Sequence, residues 1–91
     1  MTGEPAIRKN PHVVFRKLAG ENGGVLLNVE SGQYHGVNAV GSLIWDLIDG
    51  ERGLERLLAE LRDQLDDPPA NLREEAERFL ADLRERDLIA S

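Results

Sequence analysis

Residues 25–50 read VLLNVESGQYHGVNAVGSLIWDLIDG, and the spacing of their apolar side chains changes at Asn38. Before Asn38 there are two short runs, Val25–Val29 and Gln33–Val37, which are separated by the turn residues Glu30–Gly32. Short runs of this composition with Gly and Ser between them are typical of strands. After Asn38, apolar residues recur at about 3.6-residue spacing, which places them on one helix face. These residues are Val40, Leu43, Ile44, Leu47 and Ile48. The segment therefore predicts two strands and a helix that Asn38 caps.

Toward the N-terminus, the sequence predicts one more strand, which is the first of three in chain order, and a short lead-in. His12–Leu18 is rich in β-branched and aromatic residues and reads as a strand. Gly20–Gly24 follows, and its Asn and Gly residues tolerate the positive φ that tight hairpins need. Two successive short turns join the three strands into an antiparallel meander. Residues 1–10 contain Gly and Pro with little apolar content, which predicts a loose lead-in.

Toward the C-terminus, two more helices are predicted. Gly50 ends the first helix, since helices commonly end in a left-handed residue. The second helix ends at Asp66–Pro69, because a residue before proline disfavours helical backbone angles. It carries a stripe of leucines at positions 54, 57, 58, 61 and 65. The third helix runs from near Asn71 to Arg86, and Leu88–Ala90 is an apolar tail that covers one end of the core. Three strands followed by three helices predict one α+β domain over residues 1–91.

The composition excludes several classes of protein. The 91 residues include no cysteine, which excludes a disulfide scaffold, a thiolate zinc site and a cysteine nucleophile. No apolar run approaches the roughly 18–20 residues of a membrane span, and residues 1–5 lack the apolar stretch of a signal peptide, so we expect a cytoplasmic protein without membrane contact. The net charge of −6 argues against binding to nucleic-acid phosphates.

Few residues could carry catalysis. Ser31, His35 and Asp46 supply the residue types of a Ser/His/Asp arrangement, but no nucleophile-elbow pattern surrounds any serine. The two histidines and the scattered carboxylates lack a compact metal-ligand spacing. Gly20–Gly24 lies in a hairpin rather than between a strand and a helix, where a phosphate-binding loop would lie. We therefore expect a non-enzymatic protein without metal or cofactor.

The order of elements also fits a winged-helix DNA-binding regulator, in which the third helix would enter the major groove. The basic residues of this helix are Arg73, Arg78, Arg84 and Arg86. Acidic residues alternate with them, and pairs such as Glu74 with Arg78 are typical of an ordinary solvated helix. The charge argues against DNA binding, which is kept as an alternative.

The third predicted strand, Gln33–Val37, lacks the usual protection of a sheet edge. An edge strand presents unpaired N–H and C=O groups, and proteins usually guard it with lysine, proline or a bulge. Gln33–Val37 contains no lysine and no proline, and Gly36 would permit close approach of another chain. Either a helix covers this edge, or another chain adds a strand there, which is a known mode of peptide recognition.

The joint spacing of these features resembles that of the PqqD family. The matching residues are Leu27-Asn28, Ser31-Gly32, Tyr34, Val37-Asn38, Gly41, Ile44-Trp45, Gly50, Phe79-Leu80, Leu83 and Leu88-Ile89. The resemblance covers residues 12–90. Two positions depart from the pattern: Val37 stands where leucine is more usual, and Gly53 stands where Ser or Thr often caps the second helix.

This resemblance implies a winged-helix-like fold and a role as a peptide-recognition element in the biosynthesis of ribosomally made, modified peptides. The precursor's leader peptide would add as a strand to the third strand and pack against the third helix. Trp45 and the hairpin over Ser31–Tyr34 are most similar to the stand-alone B1 proteins of lasso-peptide pathways. Those proteins present the leader peptide to a separate B2-type cysteine protease, the leader peptidase. A PqqD-type peptide chaperone for a radical SAM enzyme is the alternative within the family.

The resemblance also implies the residues that bind the peptide. On the strand they are Gln33, Tyr34, His35, Gly36 and Val37. On the third helix, Leu72, Ala76 and Phe79 are expected inside an apolar groove, with Glu75, Arg78 and Asp82 beside them. Core packing is the alternative for the three apolar helix residues, and packing within the hairpin is the alternative for Tyr34.

Overall fold

The computed structural model describes residues 6–18 and 23–90. These residues form three helices, a three-stranded sheet and a two-stranded sheet. In chain order the elements are β1 (Arg8–Lys9), β2 (Val13–Lys17), β3 (Gly24–Asn28), β4 (Tyr34–Val37), α1 (Ala39–Leu47), α2 (Leu54–Gln64), α3 (Leu72–Glu85) and β5 (Ile89–Ala90). The α+β order of three antiparallel strands followed by three helices is confirmed. Of the predicted turn Gly20–Gly24, residues 20–22 lie outside the described residues.

The larger sheet is an antiparallel meander in the order β2-β3-β4. Val14, Leu27 and Tyr34 lie opposite one another across the three strands, as do Phe15, Leu26 and His35 one row away. Because successive side chains of a strand point to opposite faces, these two rows face opposite sides of the sheet. Leu26 is fully buried, whereas Tyr34 is 75% exposed, so the row of His35 faces the core.

The helix boundaries lie close to the predicted ones, except that α1 ends before Gly50, and the three N-termini are capped differently. Asn38 caps α1 with its side chain, whose Oδ1 accepts a hydrogen bond from the Gly41 N–H at 2.8 Å. Gly53 and Asn71 precede α2 and α3 without a side-chain capping bond. Gly50 has a φ of 82°, but α1 already ends at Leu47, so Gly50 shapes the loop rather than the last helical turn.

The core is built from the apolar stripes of the helices packed against the inner face of the sheet. Leu57, Leu58 and Leu61 of α2 are fully buried, and Trp45 of α1 is 3% exposed. Each such side chain contributes roughly 1.5–3 kcal/mol of burial free energy. Within residues 6–18 and 23–90, no helix combines the length and apolar character needed to cross a membrane.

The start of the described chain corrects the expectation of a loose lead-in over residues 1–10. Arg8 and Lys9 pair with Ala90 and Ile89, so β1 and β5 form a second, two-stranded sheet. Ile7 is 2% exposed; its N–H donates to the Arg52 carbonyl, and its carbonyl accepts from the Gly50 N–H. Residues 7–10 therefore tie the α1–α2 loop to the C-terminal strand, and residues 1–5 lie outside the described residues. The predicted apolar tail does cover the core, since Leu88 and Ile89 are both 3% exposed.

Candidate functional site

At the outer edge of β4, two residues have backbone N–H and C=O groups that point away from the sheet. The Asn28 N–H donates to the Gln33 carbonyl at 2.9 Å, which fixes Asn28 and Gln33 as a hydrogen-bonded pair. Hydrogen-bonded and non-hydrogen-bonded pairs alternate along an antiparallel ladder. His35 and Val37 therefore share their hydrogen bonds with β3, and the N–H and C=O groups of Tyr34 and Gly36 point to the outer edge. The edge offers two donors and two acceptors at alternate residues, which is the pattern that an additional strand requires.

The two edges of the larger sheet differ in their side chains. The β2 edge carries Arg16 and Lys17, both exposed, which is a common protection against strand pairing. The β4 edge carries neither lysine nor arginine, and a Cβ atom placed on Gly36 would meet no atom within 4 Å. Among the described residues no strand pairs with the outer edge of β4. The edge that is sterically open is therefore also the edge without charged protection.

An open groove of about 730 Å³ runs along one face of α3. The described residues that line it are Asn71, Glu75, Arg78, Phe79, Ala81, Asp82 and Glu85. They recur at three- and four-residue intervals, so they share a helix face that lies beside the buried stripe. Besides Phe79 and Ala81, the lining includes three carboxylates and one guanidinium. The groove is therefore apolar at Phe79 and acidic around it.

A contact between His35 and Asp82 joins the β4 edge to this groove. His35 Nε2 lies 3.4 Å from Asp82 Oδ2, and the two side chains are 20% and 36% exposed. The other carboxylate oxygen of Asp82 lies 3.2 Å from Arg86 Nε. His35 also lines a smaller pocket, together with Asn28, Gln33, Tyr34, Arg86 and Leu88. The strand edge and the helix groove thus form one continuous surface.

Phe79 is held at the α1 end of the groove. It is partly buried against the core, and its ring packs on Gly41, where an added Cβ atom would come within 3.1 Å. Phe79 also lines a small cavity with Asn38, Val40, Gly41, Ile44 and Glu75. Phe79 therefore packs against the core and also lines the groove.

The structure brings together most, but not all, of the residues expected at the site. Glu75, Arg78, Phe79 and Asp82 line the groove, and the strand residues border it through His35. Leu72 and Ala76 are 1% and 0% exposed and belong to the core, so they leave no surface to line the groove. Asn71, Ala81 and Glu85 were not expected there. The four-residue and three-residue steps from Asn71 to Glu75 and Arg78, and again to Asp82 and Glu85, are the signal that would have identified Asn71 and Glu85.

The residues considered for catalysis do not assemble. Ser31 Oγ accepts a hydrogen bond from the Gln33 N–H at 3.3 Å, and His35 contacts Asp82 rather than Asp46. Within the described part of the chain, no group of three or more His, Asp or Glu side chains could hold a metal ion. Two carboxyl groups outside the groove have lowered pKa values. The pKa of Asp49 is lowered by hydrogen bonds from the backbone N–H groups of Arg52 and Glu51, and that of Glu55 by a hydrogen bond from Arg73.

Arg73 of α3 and Arg86, which follows α3, both contact carboxylates. Arg73 contacts Glu55 of α2 and Glu77 within α3, and Arg86 contacts Asp82. Arginines that are neutralised by ion pairs bind phosphate poorly, since phosphate binding depends on uncompensated positive charge. The geometry of α3 thus gives little support to the DNA-binding alternative.

Comparison with known proteins gave one family and two similar structures. Residues 23–89 match the family model described as coenzyme PQQ synthesis protein D (PqqD). A structure of TbiB1 in complex with the TbiA(β) leader peptide has 24% sequence identity and a TM-score of 0.75, covering 92% of this chain and 95% of that one. A lasso peptide synthetase B1 complexed with the leader peptide has 18% identity and a TM-score of 0.73, with coverage of 93% and 98%. Comparison with curated proteins gave no match.

Proposed function

The chain belongs to the PqqD family, and from this premise we propose that it is a non-catalytic adaptor that binds the leader peptide of a ribosomally made precursor. Two structures of the same fold are complexes with a leader peptide. In this chain, the observation that carries the proposal is the outer edge of β4. It combines outward-facing backbone groups at Tyr34 and Gly36, absence of charged protection, and a groove of peptide size alongside.

In this proposal the leader peptide adds to β4 as a further strand. Its backbone pairs with Tyr34 and Gly36, which gives affinity that depends little on side-chain identity. Side chains of the peptide that lie next to His35 and Val37 share the inner face of the sheet and point toward α3. There they meet Phe79 and the charged residues of the groove, which supply specificity.

The proposed binding residues follow from these positions. On the strand side they are Gln33, Tyr34, His35, Gly36 and Val37. On the helix side they are Glu75, Arg78, Phe79 and Asp82, joined by Glu85. Leu72 and Ala76 contribute indirectly, because they pack α3 against the core and thereby set the position of the groove.

The role in a pathway is to bring a precursor to its processing enzyme. An adaptor that holds the leader peptide and also contacts the enzyme raises the effective concentration of the precursor at the active site. We propose a lasso-peptide pathway in which that enzyme is a B2-type cysteine protease, because both similar structures are B1-type proteins. A peptide chaperone for a radical SAM enzyme is the second candidate, because the matching family model is that of PqqD.

Leader-peptide binding is tested by a direct titration. The probe is a fluorescently labelled synthetic peptide with the leader sequence of the precursor encoded nearest to this chain's gene, and the readout is fluorescence anisotropy. We expect saturable binding in the micromolar range or tighter, since a disordered peptide loses conformational entropy on ordering. A scrambled peptide of the same composition is the matched control. Absence of saturable binding at tens of micromolar protein, together with a shift of duplex DNA at moderate salt, would favour the regulator.

A further inference from the structure

His35 and Asp82 connect the two walls of the proposed site. His35 is on β4 and belongs to the row of side chains that faces the core, and Asp82 is on the groove face of α3. Their side chains meet at 3.4 Å, and among the described residues this is the ion pair that spans from β4 to α3. Asp82 is oriented for this contact, because Arg86 holds its other oxygen at 3.2 Å.

We propose that His35 and Asp82 are positioning residues, which hold the β4 edge at a fixed distance from α3 so that one peptide can use both. This inference rests on the proposed function. A strand edge and a helix groove bind a peptide together only when their separation suits an extended chain. We call the contact between the His35 and Asp82 side chains the bridge. When the bridge is open, a smaller fraction of the protein has this separation, and the apparent affinity falls in proportion to that fraction.

The bridge depends on charge and therefore on pH. Histidine is the side chain whose charge changes near neutral pH, and its cation attracts a carboxylate. The charged groups around His35 are Asp82 of α3 and Arg86, which follows α3, with Tyr34 lining the same pocket, while β3 contributes the neutral Asn28. Asp82 is the anion in contact, so protonation of His35 strengthens the bridge. Leader affinity should therefore rise as the pH falls.

The test uses the full chain and the leader-peptide titration at about pH 6 and about pH 8. We expect the wild-type protein to bind the peptide about two- to fivefold more tightly at the lower pH, the range that a partly exposed ion pair supports. His35→Gln should remove this pH dependence and reduce affinity at the lower pH by a similar factor. Asp82→Asn should have the same effect, and the double variant should lose no more than either single variant.

Two controls separate a positioning role from other roles. His12→Gln removes the other histidine of the chain, which lies 3.7 Å from Glu30 and outside the groove, and should retain the pH dependence. Circular dichroism and thermal melts show whether each variant is folded. Additive losses in the double variant, or a His35→Gln variant with wild-type affinity at both pH values, would overturn the inference. If the wild-type protein binds no leader peptide at either pH, the proposed function itself fails.

Discussion

The ring of Phe79 packs directly on the backbone of Gly41, so that a Cβ atom at residue 41 would lie 3.1 Å from both Cε1 and Cζ of the ring. Gly41 is buried in the first turns of α1, and Phe79 is the aromatic residue of the α3 groove. The absence of a side chain at residue 41 thus sets how deeply the ring sits. The depth of the groove is decided by a residue of another helix.

Replacement of Gly41 with alanine should alter binding more than stability. Alanine is more favourable than glycine within a helix by about 1 kcal/mol, which offsets part of the roughly 1–3 kcal/mol cost of overpacking. The ring of Phe79 is only partly buried and can move by a few tenths of an ångström toward the groove. We expect a nearly unchanged melting temperature and weaker leader binding. Unchanged affinity in a variant whose Phe79 ring signals have shifted by NMR would contradict this account.

The capping bond of α1 provides a stability prediction with a matched control. Asn38 Oδ1 accepts the Gly41 N–H at 2.8 Å, whereas the side chain of Asn71 makes no capping bond to α3. Asn38→Ala should therefore lower the free energy of unfolding by about 1 kcal/mol. Asn71→Ala should change it by less than about 0.5 kcal/mol. Urea denaturation measures both, and equal losses in the two variants would show that the bond at Asn38 is not the cause.

The α1–α2 loop should stabilise the fold in a pH-dependent way. Backbone N–H groups of Arg52 and Glu51 donate to Asp49 Oδ1, each at 3.0 Å, and they hold the pKa of Asp49 below its ordinary value. A carboxyl group with a lowered pKa in the folded state stabilises the protein above its unfolded pKa, and this contribution is lost as the pH falls through the folded pKa. Asp49→Asn should therefore destabilise the protein near neutral pH and have a vanishing effect in acid. Urea denaturation of both proteins from neutral to acidic pH checks the trend. A difference in the free energy of unfolding that stays constant with pH would contradict it.

Residues 7–10, which include β1, should be part of the stable fold. Ile7 is 2% exposed and exchanges backbone hydrogen bonds with Gly50 and Arg52. Truncation of such a side chain to alanine costs about 2–5 kcal/mol. Arg8→Ala, on the exposed side of the same segment, should cost less than about 0.5 kcal/mol. Fluorescence of Trp45, the one tryptophan of the chain, can follow unfolding of both variants. If the two substitutions cost the same, residues 7–10 do not contribute to the core as described.

Local signals were sufficient to predict the main elements of the fold. The change of apolar spacing at Asn38 marks the end of the meander, and Asp66–Pro69 marks the end of α2. The sheet of β1 and β5 could not be predicted in this way. It consists of two residues from each end of the described chain, and two residues carry no periodicity. Its existence depends on where the last turn of α3 leaves Leu88 and Ile89.

The structure places the predicted strand residues at an open sheet edge, and it places only some of the predicted helix residues in the groove. The open β4 edge could be predicted because the absence of lysine and arginine from Gln33–Val37 is visible in the sequence itself. The groove face of α3 depends on how the helix is rotated against the core. Leu72 and Ala76 are turned inward, so the groove is lined by the neighbouring face that includes Glu85. An apolar stripe shows which residues of a helix can be buried, but not which adjacent face remains open.

The central claim is that a peptide pairs with the outer edge of β4, and two substitutions at Gly36 test it most directly. The Gly36 N–H points away from β3, so Gly36→Pro removes an outward donor and places a ring at the edge without breaking the ladder. Gly36→Ala adds a methyl group that meets no atom within 4 Å and keeps the N–H. Leader-peptide titration should show loss of saturable binding for Gly36→Pro and near wild-type affinity for Gly36→Ala, with unchanged helical circular dichroism in both. Equal binding by the two folded variants would contradict strand addition at this edge.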